Sequence, residues 1–283
     1  MTFALVLGGG GVTGVAWETG LLKGLRDRGA DLTTADVIVG TSAGAVVGAQ
    51  ISTGVDLDWL YEQQLATVNL AVERSPDVSR LTAFFGSLAS DPSQRAMPVL
   101  TPEVLAQIGS EARAAVYGLS EAQRLEIIRS RLPVKDWPDR RLLLTAIDTE
   151  DGSFLAWDRY SGVDLPVAVA SSCAAPWVYP PVTIKGRRYM DGGMRSTTNA
   201  DVAADYETVM IIAPIGHLTG AMEAEIAQLR DAGRNVEAIV PNAQTLDAIG
   251  PNALEPTRRP GAARAGLAQA GTISLESVRE AIR

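Results

Sequence analysis

The chain contains very few of the residue types on which many catalytic and structural sites depend. Among its 283 residues there is one cysteine, Cys173, and one histidine, His217, and aromatic residues make up 5% of the sequence. A single cysteine excludes an intramolecular disulfide, and any catalytic triad that contains histidine must use His217. Cys173 lies among small residues, which is typical of a buried and inert packing group rather than a nucleophile.

The sequence also lacks a long apolar run and an excess of basic residues. The N-terminal apolar stretch breaks at Gly8 and has no basic segment before it, so we expect neither a signal peptide nor a transmembrane segment. The formal net charge of −8 argues against nucleic acid as a partner. We therefore expect a globular, cytoplasmic protein whose contact with membrane surfaces is transient.

Glycine, in contrast, is abundant, with 27 residues, and one group of glycines surrounds a serine. Residues 40–44 read Gly-Thr-Ser-Ala-Gly and follow the apolar run 37–39. A serine between glycines at a sharp strand-to-helix turn is the pattern of a nucleophile elbow, which would expose the hydroxyl oxygen of Ser42. The alternative is an ordinary serine that caps the following helix.

Four consecutive glycines at positions 8–11 follow a strand predicted for residues 3–7 and precede a helix predicted for residues 14–28. Because glycines have no side chains, their N–H groups can converge on a developing negative charge, so this loop is a candidate oxyanion hole. The same segment also fits the Gly-x-Gly-x-x-Gly pattern of a dinucleotide-binding oxidoreductase. The residues of that alternative are Gly9, Gly11 and Gly14, with Asp31 and Asp36 as ribose ligands.

Asp191, which is followed by two glycines, is the candidate general base. The glycines leave its carboxylate room to approach another part of the backbone. A free aspartate has a pKa of about 3.9 and is a weak base, so this role requires a shielded site and a hydrogen bond to Ser42. The alternative is a plain aspartate in a turn.

These three motifs, in this order, resemble the patatin-like phospholipase family. The resemblance covers residues 3–215 and includes the segment 170–189 that leads to Asp191. It implies an α/β fold with a mainly parallel central sheet, helices on both faces and a helical insertion after the nucleophile helix. It also implies a serine acyl hydrolase without metal or organic cofactor, in which Ser42 attacks a lipid ester or another carboxylic ester.

In the reaction that the resemblance implies, Asp191 is the base and the glycine loop binds the oxyanion. The oxyanion-hole residues are Gly9, Gly10 and Gly11, and the other motif glycines are Gly8, Gly14, Gly40, Gly44, Gly192 and Gly193. The family usually has a basic residue before the last glycine of its loop, whereas this chain has Thr13. Ester hydrolysis therefore follows from the resemblance more directly than a preference for phospholipids.

His217 supports another alternative. It follows a predicted strand, and the order Ser42, Asp191, His217 matches the order of the triad in α/β-hydrolases. In the family that the chain resembles, histidine is not required. A His217-dependent esterase is thus the competing hydrolase hypothesis.

The alternation of strands and helices predicts one domain over residues 1–283. Strands are predicted at residues 3–7, 37–40, 142–147, 209–213 and 238–240, with a hairpin turn at 150–153, and helices at 58–72, 103–108, 121–131, 221–232 and 274–283. Residues 73–138 interrupt the alternation as a helical, lid-like insertion. Residues 216–283 are expected to form a C-terminal extension, with an exposed basic loop at 251–264.

Aromatic residues suggest where an acyl chain would bind. Phe84 and Phe85 lie at near-helical spacing with other apolar residues of the insertion, and Trp177 and Tyr179 lie close to Asp191 in sequence. These four side chains are candidates for the wall of an acyl-chain pocket. For Phe84 and Phe85, the alternative is an amphipathic helix that faces the core.

Overall fold

The structure is a computed structural model that describes residues 2–67, 75–89, 100–215 and 220–281. Within these ranges, eight strands form one sheet. The strands are β1 Phe3–Leu7, β2 Val37–Gly40, β3 Arg141–Asp148, β4 Phe154–Trp157, β5 Val182–Ile184, β6 Arg187–Asp191, β7 Thr208–Ile212 and β8 Asn235–Ile239. The helices are α1 Gly11–Asp27, α2 Ala43–Ser52, α3 Leu57–Leu65, α4 Ser79–Ala89, α5 Pro102–Ala114, α6 Glu121–Arg131, α7 Leu165–Ser172, α8 Gly220–Asp231, α9 Ala243–Ile249, α10 Arg259–Ala270 and α11 Leu275–Ala281.

Each strand pairs with the next along the path β5-β6-β3-β2-β1-β7-β8, and β4 also pairs with β3. Strands β3, β2, β1, β7 and β8 are mutually parallel. The other pairs, β3 with β4, β3 with β6 and β5 with β6, are antiparallel. The predicted α/β fold with a mainly parallel sheet is confirmed.

Both faces of the sheet are buried, as the alternation of side chains in β1 shows. Phe3, Leu5 and Leu7 belong to a core cluster that also contains residues of α1, α2, α7 and α10. Ala4 and Val6 point to the opposite face, into a second cluster that includes residues of α8. A parallel strand covered on both sides is apolar at every position rather than at every second one. This explains why the first strand is a continuous apolar run.

Helix α10 corrects the prediction of an exposed basic loop over residues 251–264. The helix begins at Arg259 and packs along α1, with Ala263 buried. A Cβ atom on Gly20 would lie 2.1 Å from the Ala263 carbonyl oxygen, and one on Gly266 would lie 2.3 Å from the Trp17 carbonyl oxygen. The small residues therefore permit a close helix–helix contact. The prediction of an exposed loop relied on the arginines of the segment and not on these small residues.

Other element boundaries differ by a few residues. Helix α3 ends at Leu65, whereas the prediction extends to residue 72, of which positions 68–72 lie outside the described residues. Strand β8 starts at Asn235 rather than at 238. The predicted hairpin is confirmed, because β3 and β4 are antiparallel on either side of residues 149–153. The described part of the insertion consists of α4, α5 and α6. His217 lies outside the described residues, and in the described ranges no helix is both long and apolar enough to cross a membrane.

Candidate active site

Ser42 occupies a strained turn between β2 and α2. Its backbone has φ 53° and ψ −109°, a conformation that L-residues rarely adopt, and its side chain makes no capping hydrogen bond to the helix. A Cβ atom on Gly44 would lie 2.0 Å from the Leu7 carbonyl oxygen, and one on Gly40 would lie 2.6 Å from the Gly44 carbonyl oxygen. The flanking glycines are thus required by close backbone contacts, and the geometry is that of an elbow rather than of an ordinary serine cap.

The register of the sheet brings Asp191 to this turn. Gly40, at the end of β2, pairs with Leu144 of β3, and Asp191, at the end of β6, pairs with Ala146. Strand β4 occupies one edge of β3 over these positions. Both β2 and β6 must therefore pair with the second edge of β3. Because β2 is parallel and β6 antiparallel to β3, the ends of the two strands approach each other along that edge. Residues far apart in sequence therefore meet where both strands end.

The Asp191 carboxylate is buried, with 5% of the residue exposed. Burial raises its pKa from 3.8 to about 6, because removal from water disfavours the charged form. Three groups oppose this effect: the Gly193 N–H, which donates to Oδ1 at 2.8 Å, the Ser42 hydroxyl and the Arg124 guanidinium. The carboxylate is therefore a stronger base than a free aspartate, and it lies near the Ser42 hydroxyl.

The glycine loop lies beside Ser42, because a Cβ atom on Gly9 would be 3.6 Å from the Ser42 Cβ. The Gly8 N–H donates to the Ile212 carbonyl oxygen at 2.8 Å, and the Gly9 N–H donates to the Thr197 carbonyl oxygen at 2.7 Å. The N–H groups of Gly10 and Gly11 have no acceptor among the described residues. They stand at the N-terminus of α1, where such groups attract negative charge.

Thr13, at the position where the family usually has a basic residue, is buried. Its N–H and its hydroxyl both donate to the Ala253 carbonyl oxygen, at 3.1 and 3.0 Å. The residue therefore attaches the beginning of α1 to the segment that precedes α10. It contributes no charge to the loop.

Asn199 is a buried residue of the site that sequence reasoning missed. It adopts the left-handed conformation, with φ 51°. Its Nδ2 contacts Thr41 Oγ1 at 3.1 Å, the Gly192 carbonyl oxygen at 3.2 Å and the Ser196 carbonyl oxygen at 2.8 Å. The side chain thus connects the residue before Ser42 with the residue after Asp191. An asparagine eight residues after Asp191 carries no local pattern that predicts this role.

The end of α7 holds the backbone of Ser42 in place. The Ser42 N–H donates to Ser172 Oγ at 3.0 Å, and Cys173 Sγ donates to the Ser42 carbonyl oxygen at 3.1 Å. Burial raises the pKa of Cys173 to about 12, so the group is a neutral thiol. The structure agrees with the interpretation of Cys173 as an inert packing residue, and it adds Ser172 as a support that the sequence did not reveal.

The four aromatic candidates for the acyl pocket fall into two places. The rings of Phe84 and Phe85, and those of Phe84 and Trp177, have centroids 5.5 Å apart, and all three side chains pack on a small cluster that contains Met190. Tyr179 lies elsewhere, under the guanidinium of Arg124 at 3.7 Å.

A cavity of about 330 Å³ lies between α1, α2, α3 and α6, and none of these aromatic side chains lines it. Its walls include Val12 and Val46, which follow the glycine loop and the elbow, respectively. Val46 lies one helical turn beyond Ser42, so both residues are on the same face of α2. The cavity therefore lies one helical turn beyond Ser42, and neither Ser42 nor Asp191 is among the residues that line it.

The residues required for dinucleotide binding are placed unfavourably. Asp36 precedes β2 and its carboxylate accepts the Phe3 N–H at 2.7 Å, at the start of β1, whereas the glycine loop follows the end of β1. Asp31 caps a short turn by accepting the Thr33 N–H at 3.0 Å. Neither carboxylate faces the loop. In the described ranges, no group of three or more His, Cys, Asp or Glu side chains could hold a metal ion.

Comparisons with known proteins identify relatives of the chain. A family model described as patatin-like phospholipase matches residues 5–204, and no curated protein gives a significant match. Among solved structures, VipD from Legionella pneumophila is 14% identical with a TM-score of 0.49, and the match covers 99% of this chain and 67% of VipD.

Two further structures have lower TM-scores. Full-length ExoU of Pseudomonas aeruginosa, solved with SpcU, is 15% identical with a TM-score of 0.36, and human GIVD cytosolic phospholipase A2, in complex with methyl gamma-linolenyl fluorophosphonate, is 12% identical with a TM-score of 0.38. The matches cover 95% and 99% of this chain, and 52% and 59% of those longer chains.

Proposed function

The chain belongs to the patatin-like phospholipase family, and from this premise we propose that it is a lipid acyl hydrolase that cleaves carboxylic esters with a Ser42–Asp191 dyad. The observation that carries the proposal is the position of Asp191. A buried carboxylate with a raised pKa lies at the strained turn of a serine whose hydroxyl interacts with it. A base of this kind is what a hydroxyl nucleophile requires.

In the first step, the Ser42 oxygen attacks the ester carbonyl carbon while its proton passes to Asp191. The negative charge that develops on the carbonyl oxygen is stabilised by the N–H groups of Gly10 and Gly11. When the tetrahedral intermediate collapses, the carbon–oxygen bond of the ester breaks and the alcohol leaves with the proton from Asp191. The product of this step is an acyl group on Ser42.

In the second step, Asp191 takes a proton from water, whose oxygen attacks the acyl carbon. The bond to Ser42 breaks, and Ser42 recovers the proton from Asp191. The fatty acid is released and the enzyme returns to its starting state. Gly9 was predicted as a third donor of the oxyanion hole. In this proposal it positions the loop instead, because its N–H already donates to the Thr197 carbonyl oxygen.

The remaining predictions become parts of the same proposal. The chain acts as one domain in the cytoplasm, where it contacts membrane surfaces transiently to reach lipid substrates. The insertion 73–138 forms a lid-like wall, and the cluster of Phe84, Phe85 and Trp177 covers one side of the acyl chain. The support for this wall is the packing of the three rings next to the strand that ends in Asp191.

The test is intact-mass measurement after treatment with a fluorophosphonate probe, followed by peptide mapping. We expect one adduct, on Ser42, that is absent in Ser42→Ala and forms much more slowly in Asp191→Asn. His217→Ala should label at the wild-type rate, whereas the His217-dependent esterase predicts a large loss. A folded protein without an adduct would contradict the proposal. A thermal shift with a dinucleotide would then favour the oxidoreductase.

A further inference from the structure

Arg124 is a buried cation whose charge acts on the Asp191 carboxylate but which forms no direct ion pair among the described residues. It lies on α6 with 6% of the residue exposed. Its Nε atom has no hydrogen-bond partner, and within the described ranges no acidic side chain forms an ion pair with its guanidinium. A buried charge without a partner is costly, and buried arginines are therefore normally paired with an anion. The missing partner is thus the feature that requires an explanation.

The position of Arg124 connects it with the candidate site. The guanidinium stacks on the Tyr179 ring at 3.7 Å, and stacking fixes the plane of the guanidinium without supplying a negative charge. Its charge lowers the pKa of Asp191 and of Cys173, both of which lie at the elbow. The charge of Arg124 therefore reaches the site from α6, a helix of the insertion.

We propose that Arg124 binds an anionic group, a phosphate or a carboxylate, that is part of the ester substrate. The inference rests on the proposed function and defines its substrate class as anionic esters, such as lysophospholipids that end in a phosphate. A guanidinium suits this task because its planar set of donors matches the oxygens of phosphate and carboxylate groups. It also supplies, from α6, the positive charge that the glycine loop lacks.

The test compares two esters that differ only in the anionic group, 1-oleoylglycerol 3-phosphate and 1-oleoylglycerol. We expect the wild type to show the higher kcat/KM with the phosphate ester. Arg124→Met should lower the ratio of the two kcat/KM values at least about tenfold, mainly through KM, because a charged hydrogen bond to the substrate is lost. Arg129→Met, on the same helix and half-buried, is the matched control and should leave the ratio unchanged.

Three results would overturn the inference. The first is a wild type with no preference for the phosphate ester. The second is an equal loss with both esters in Arg124→Met, which would indicate a structural role or an effect through Asp191. The third is stimulation of 1-oleoylglycerol turnover by inorganic phosphate, which would show that Arg124 binds a free anion rather than a group of the substrate.

A binding measurement separates this inference from the proposed function. In the Ser42→Ala background, 1-oleoylglycerol 3-phosphate should raise the melting temperature, and Arg124→Met should abolish that increase. Binding that depends on Arg124, together with a wild type that hydrolyses neither ester, would support the anion site and refute the hydrolase. The Arg124→Met variant without ligand should still unfold in one cooperative transition, and the same melting experiment checks this. A binding signal that is equal with and without Arg124 would refute the anion site.

Discussion

Replacement of Asp191 by asparagine should stabilise the fold while it removes activity. The pKa of Asp191 in the folded protein is about 6, compared with 3.8 for an unperturbed aspartate. The gap is about two pH units, and one unit corresponds to about 1.36 kcal/mol, so the ionised carboxylate destabilises the folded state by about 3 kcal/mol at neutral pH. The uncharged asparagine side chain avoids this cost, although its amide N–H groups need an acceptor near Ser42. About 3 kcal/mol is thus the upper bound of the gain.

The sign of the pH dependence makes this prediction specific. Below about pH 4 the carboxyl is neutral in both states, so wild type and Asp191→Asn should unfold with nearly the same free energy. Between about pH 4 and pH 6 only the unfolded state loses the proton, and the stability of the wild type falls relative to the variant. Above about pH 6 both states are ionised and the difference stays constant.

The assay is urea unfolding of both proteins at a series of pH values, with the same m-value required for each pair. Asp139→Asn is the control, because Asp139 is fully exposed, and its effect should stay within about 0.5 kcal/mol at every pH. An advantage of Asp191→Asn that is the same at about pH 4 and at about pH 8 would refute the reasoning. A variant that is less stable than the wild type at about pH 8 would refute it as well.

The geometry of the site leads to three more predictions. The kcat/KM for a neutral ester should rise about tenfold per pH unit below an apparent pKa near 6 and level off above it, because Asp191 must be ionised to act as a base. A flat pH–rate profile would contradict this expectation. Gly10→Ala should lower kcat about 10²–10³-fold, because the new Cβ would lie 2.4 Å from Pro214 Cβ and would displace an oxyanion donor. In the same steady-state assay, Gly118→Ala is the control and should have no effect, because its Cβ meets nothing within 4 Å. Asn199→Ala should lower the free energy of unfolding in urea by at least about 2 kcal/mol, because buried acceptors lose their donor; a smaller change would contradict the network.

The parts of the site that the sequence predicts are those encoded in short segments. A strand, a tight turn and a helix are local features, so the glycines around Ser42 indicate a backbone that only glycine permits. The same is true of the glycine loop. Asp191 is a different case, because a pair of glycines indicates room near it but not the burial that raises its pKa. The family resemblance supplied that link.

The residues that were missed act through contacts between distant segments. Asn199 connects the turns of two strands, Ser172 holds a backbone N–H, and Arg124 approaches from a helix of the insertion. In sequence, each has the surroundings of an ordinary polar residue, because the burial that gives it a role depends on elements far along the chain. The basic segment 251–264 was misread for the same reason, since the small residues that pack on α1 have partners more than two hundred positions away.

The contact of α1 with α10 determines how much of the chain must be present for the candidate site to fold. The matched family region ends at residue 204, but the helix that carries the glycine loop is packed against residues near 263 and is attached at Thr13 to Ala253. A recombinant fragment cut at the border of the matched region would keep Ser42 and Asp191. It would nevertheless lose β7, which pairs with β1, and the support of the loop. The segment that the family model matches is therefore shorter than the segment that must fold together.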